Sequence, residues 1–106
     1  MKRKATAKWS GPLQGGKGTM STASGAVVEK PYSYTTRFEN EPGTNPEELI
    51  GAAHAGCFSM ALAGQLGKAG LTAKSIQTTA EVTLDKTEAG FTITAVHEIT
   101  MDAALG

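Results

Sequence analysis

The feature that most constrains this chain is a helix whose start and stop are both written in the sequence, over residues 45–70. Asn45 suits the N-cap, Pro46 suits the first helical position, and Glu48 stands three residues after the cap. Glu47 and Glu48 also place negative charge at the positive end of the helix dipole. At the far end Gly70 supplies a C-terminal glycine stop, with Leu71 positioned to fold back on the last turn. Between these signals the segment is dense in Ala and Gly. Small side chains let another backbone approach closely, so the helix reads as a buried central one. Its most apolar part, residues 49–63, reads as shorter than a bilayer span and carries His54 near its middle. No membrane role is therefore expected.

The flanking segments read as strands. Residues 5–10 alternate apolar and polar, and the Gly11-Pro12 and Gly15-Gly16 pairs mark a turn. Residues 19–22 are predicted to return as a second strand, and the Tyr- and Thr-rich residues 31–38 as a third. After the helix, residues 75–84 alternate with Thr78, Ala80, Val82 and Leu84 in register. Residues 86–90 form a turn, beyond which Phe91, Ile93, Ala95 and His97 are predicted to share one face. Strands, a long helix, then strands is an α+β pattern of antiparallel strands around a central helix. With 106 residues the chain reads as one domain over 1–106.

Composition narrows the function classes. Ten basic residues balance ten acidic ones, so the basic footprint of a nucleic-acid binder is missing. The positive start Met1-Lys2-Arg3-Lys4 is not followed by an apolar signal core and reads as a solvated tail. Cys57 is the single cysteine, which allows no internal disulfide and fits a reducing, cytoplasmic setting. Two His and one Cys show no metal-ligand spacing, so no metal is expected.

Cys57 sits on the predicted helix, three residues after His54. A lone helical cysteine is usually a small, inert core residue, because reactivity needs a thiolate and a nearby positive charge or donors. A Cys57/His54 nucleophile pair is the sharper reading and a packed histidine the commoner one; no third orienting group stands out. Taken alone, Arg37 reads as a surface strand residue and Glu47 as a first-turn helix acid.

The runs Tyr34-Thr35-Thr36-Arg37-Phe38-Glu39 and Gly43-Thr44-Asn45-Pro46-Glu47-Glu48-Leu49-Ile50-Gly51-Ala52-Ala53-His54-Ala55-Gly56-Cys57-Phe58-Ser59-Met60 resemble the OsmC/Ohr family, most closely its osmotically inducible branch. The resemblance extends to the strand start at Lys17-Gly18-Thr19 and the hairpin at Leu84-Asp85-Lys86. It implies an OsmC-like fold, an intertwined homodimer with sites at the subunit interface, and a thiol-dependent peroxidase that reduces organic hydroperoxides to alcohols. It further implies Cys57 as the peroxidatic cysteine, Arg37 as the cation holding thiolate and peroxide, and Glu47 as the carboxylate orienting Arg37. A guanidinium favours a thiolate by charge and by its fixed fork of donors, and a carboxylate behind it locks that fork.

Glu47 and Cys57 are ten positions apart, roughly 15 Å of rise on an unbroken helix. Either the helix breaks near Gly51 or Gly56, or the site joins two chains; the implied homodimer favours the second. Family members carry a second, resolving cysteine downstream, which this chain lacks, so the domain reads as C-terminally incomplete. A Cys57 sulfenic acid would then need an external dithiol, for which the resemblance suggests dihydrolipoyl groups on a lipoylated protein; no cofactor is implied. The alternative is a non-catalytic OsmC-fold dimerisation or ligand-binding domain that lost turnover with its resolving cysteine. An acyl-transfer enzyme built on His54 is a third reading, in which His54→Ala abolishes activity while sparing a peroxidase.

Overall fold

The structure, a computed structural model, describes residues 1–88 and 90–106. It forms two compact units, Met1–Pro46 and Glu47–Gly106, and mixes antiparallel sheets with one long helix, as the α+β reading expected.

In the first unit β1 (Ala5–Ser10), β2 (Lys17–Thr22) and β3 (Lys30–Tyr32) form a three-stranded antiparallel sheet in that order. Trp9 pairs with Gly18 across β1 and β2, and Gly18 pairs with Tyr32 across β2 and β3. The two rings lean together over Gly18, with centroids 5.6 Å apart. A Cβ on Gly18 would lie 2.6 Å from both rings, so only glycine leaves room for the pair.

The expected third strand over residues 31–38 is corrected. It stops at Tyr32, and α1 (Tyr34–Phe38) follows. Ser33 is the reason: its hydroxyl accepts from the Thr36 backbone N–H, while its own N–H donates to the Thr36 hydroxyl at 2.8 Å. This reciprocal capping box outcompetes the strand preference of the Tyr- and Thr-rich run.

The second unit packs α2 (Pro46–Lys68) on a long hairpin of β4 (Ala73–Thr87) and β5 (Gly90–Leu105). The ends of α2 follow the sequence signals. Glu47 and Glu48 occupy the first turn and Lys68 the last. Gly70 takes φ +78°, its N–H bonds the Gly67 carbonyl, and the Leu71 N–H reaches back to the Leu66 carbonyl at 2.9 Å. These two bonds satisfy carbonyls that the helix end would otherwise strand. The predicted turn over residues 86–90 falls between Thr87 and Gly90, which pair; its residue Ala89 lies outside the described residues.

Along β4 the expected alternation holds, with Thr78, Ala80 and Val82 turned towards α2. On β5 it does not. Leu84 pairs with Ile93 but Thr83 pairs with Ala95, so Thr94 is an extra residue; Ile99 is another, between Glu98 and Thr100. Each such bulge shifts the face of everything beyond it. Phe91 and Ile93 therefore share their face with Val96 and Glu98, opposite Val82 and Ala80, whereas Ala95 and His97 lie on the other side.

Two expectations about α2 also change. The helix is not buried in this chain: only Glu47 and Gly51 are buried along its length. A two-stranded hairpin covers one side of a helix and leaves the rest open. Nor is the segment too short for a bilayer. At 23 residues, about 34 Å, α2 is long and apolar enough to cross one by length and composition. Here Gly51 and Ser59 are engaged with β4 and His54 with β5.

Candidate functional site

The three residues singled out by the sequence fall in both units. Arg37 is in the last turn of α1, with its guanidinium carbon 5.1 Å from the centroid of the Phe38 ring. Tyr34 packs edge-on against Phe38 at 4.9 Å. Trp9, Leu13, Tyr32, Ser33, Tyr34, Arg37 and Phe38 line a cleft of about 220 Å³ in this unit. The cleft joins aromatic walls to one fixed cation, a combination suited to an apolar molecule with an electron-rich end.

In the second unit α2 passes over β4 without a break. Gly51 meets the hairpin most closely, since a Cβ there would sit 3.5 Å from the Val82 side chain. Ser59 exchanges a hydroxyl hydrogen bond with Thr78 at 2.7 Å, one polar tie between helix and sheet. Upstream lies a groove of about 400 Å³ between α2 and β4, lined by Glu47, Glu48, Gly51, Ala55 and residues 78–82. Glu47 is 8% exposed, a carboxylate held where a guanidinium is the natural complement.

Cys57 does not line that groove. Its residue is exposed, on a part of α2 that the hairpin does not cover. Because the helix continues through Gly51 and Gly56, Glu47 and Cys57 of one chain stand about 15 Å apart along its axis. They do not share a site within one chain, which removes the broken-helix alternative.

His54 is more involved than the sequence implied. Its Nδ1 forms a hydrogen bond with the Glu98 carboxylate on β5, with the histidine side chain 45% exposed and that of Glu98 18%. Glu98 is a partner of His54 that no sequence signal indicated. Alternation along β5 placed His97 on this face, and only the Thr94 bulge brings Glu98 there instead. His97 pairs at 3.8 Å with Glu81, its cross-strand neighbour. Among the described residues no group of three or more His, Cys, Asp or Glu is placed to hold a metal.

Residues 38–105 match the model of the OsmC-like protein family. The chain is 61% identical over 94 residues to a protein named Peroxiredoxin OsmC in Escherichia coli (strain K12), a match covering 89% of this chain. The Shigella flexneri protein of the same name matches to the same extent. The aligned region spans 66% of the length of each of these curated relatives.

Proposed function

The chain belongs to the OsmC-like protein family, and from that premise we propose that it is a thiol peroxidase that reduces organic hydroperoxides through Cys57. The observation that carries this reading is the family match over residues 38–105, a span that contains Cys57 on the uncovered side of α2. The name of the two 61% identical relatives, a peroxiredoxin, points to the same chemistry.

In this reading the Cys57 thiolate attacks the terminal peroxide oxygen, giving an alcohol and a Cys57 sulfenic acid. Arg37 holds thiolate and peroxide, and Glu47 orients Arg37. The separation of Glu47 from Cys57 along one unbroken helix supports a site assembled from two chains, hence a homodimer. The apolar residues on the open side of α2, Leu49, Ile50 and Met60 among them, suit such an association. The aromatic walls beside Arg37 favour organic hydroperoxides over hydrogen peroxide. An external dithiol, of which dihydrolipoyl groups on a carrier protein are the candidate class, returns the sulfenic acid to thiol, and the setting is cytoplasmic.

The test is consumption of cumene hydroperoxide with dithiothreitol supplied, by the chain and by Cys57→Ser. Turnover in the chain and none in the variant is expected. Equal rates in both proteins, or no consumption and no stoichiometric oxidation of Cys57, would overturn the reading.

A further inference from the structure

We propose that the cleft beside Arg37 selects hydroperoxides with an aromatic ring next to the peroxide, and that Trp9 and Tyr32 set this preference. The proposal rests on the thiol-peroxidase reading above, in which Arg37 holds the peroxide. Aromatic side chains are few in this chain and are gathered here. Four of its six, Trp9, Tyr32, Tyr34 and Phe38, line the cleft together with Arg37. They stand as two ring pairs, Trp9 with Tyr32 at 5.6 Å and Tyr34 with Phe38 at 4.9 Å, both tilted. A tilted pair does not cover its ring faces as a flat stack does, and Trp9 keeps 38% of its surface exposed.

These walls are set before a ligand arrives. The Trp9 indole N–H donates to the Gly11 carbonyl at 3.0 Å, and Gly18 leaves room for the Trp9 and Tyr32 rings. The Arg37 guanidinium carbon lies 5.1 Å from the Phe38 ring centroid, which holds the cation against one wall. Groups already in place lose little freedom on binding, so their contacts convert more fully into affinity. The two ends of the cleft then name the ligand. Peroxide oxygens accept from the guanidinium, and an aromatic body packs on the rings in the tilted and edge-on geometries that ring pairs favour. A saturated alkyl body buries area there but lacks that ring-to-ring attraction. At about 220 Å³ the cleft is smaller than the roughly 300 Å³ at which pockets for drug-sized ligands begin, which points to a molecule of one ring.

Cumene and tert-butyl hydroperoxides isolate the ring, because they differ only in phenyl for methyl on the carbon that bears the peroxide. With dithiothreitol supplied, kcat/KM is expected to favour cumene hydroperoxide, and Trp9→Leu and Tyr32→Leu each to lower the ratio of the two values by roughly threefold to tenfold. The ratio is blind to any loss of folded protein, which lowers both values alike. A second measurement reads binding without turnover. Trp9 is the single tryptophan and lines the cleft, so its fluorescence reports occupancy directly. 2-Phenyl-2-propanol, the alcohol left by cumene hydroperoxide, cannot oxidise a thiol. It is expected to change the Trp9 emission saturably at concentrations where tert-butanol does not. A ratio that neither variant moves, or two alcohols that act alike, would overturn the inference even if Cys57-dependent turnover persists. A saturable change with the ring-bearing alcohol alone supports it, even in a protein that consumes no peroxide and so fails the broader reading.

Discussion

The two sides of α2 are built from similar residues and meet different fates. On the hairpin side Gly51 rests against Val82, Ser59 bonds Thr78, and Glu47 is buried at the head of the groove. Elsewhere on the helix Met60 is 80% exposed, Leu49 and Ile50 stand open, and a Cβ added at Gly56, Gly64 or Gly67 would meet nothing within 4 Å. An ordinary surface helix turns polar residues to water. Between its charged ends this one keeps apolar or small residues on most of its surface, interrupted by His54, Ser59 and Gln65. The contrast teaches that the hairpin covers one side of the helix only, and that the candidate nucleophile belongs to the part the hairpin leaves open.

Substitutions on the two sides sharpen this contrast. The largest effect is expected at Met60. If a second copy covers the open side, Met60→Glu places a charge in that contact and weakens association by roughly thirtyfold or more. Sedimentation velocity at several concentrations measures this, and an unchanged dimer would mean that the contact lies elsewhere. On the hairpin side, Val82→Ala is expected to cost about 1 kcal/mol in chemical denaturation, since a half-buried valine loses two methyl groups of packing against Gly51. Ser59→Ala is expected to cost somewhat less, up to about 1 kcal/mol, because it takes a hydrogen-bond partner from the Thr78 hydroxyl, which water partly replaces.

The smallest effect is also the one whose sign is most informative. Gly64→Ala adds a methyl group to open space and removes a poor helix former. In dilute, dissociated protein it is expected to stabilise by about 0.5–1 kcal/mol. A destabilisation that grows with protein concentration would place a second backbone against Gly64 instead.

Much of the second unit was legible in advance because its signals are local. A Pro after an Asn and a Gly before a Leu bracket α2 by backbone chemistry that needs no partner, and the helix runs Pro46–Lys68 accordingly. Alternation named the helix-facing residues of β4, since that strand keeps its period from Ser75 to its end. Cys57 as the candidate nucleophile was legible only through the family resemblance. Its local sequence is equally that of an inert thiol.

Readable from the residues alone are the location of the long helix, the pairing of the hairpin that follows it, and the α+β class. These rest on capping, glycine stops and period-two alternation, all of which act within a few residues. The capping box of Ser33 and Thr36, which turns the expected strand end into a helix carrying Arg37, is equally local but lay under the strand preference of the Tyr- and Thr-rich run. Tertiary structure alone decided two further things. The cover supplied by the hairpin reaches one side of α2 only, which depends on what packs there and not on the composition of the helix. And the extra residue at Thr94 exchanges the faces of β5, so that Glu98 rather than His97 meets His54. No residue type marks a bulge in this strand; it follows from fitting sixteen residues of β5 against fifteen of β4, and a one-residue slip reverses every side chain beyond it.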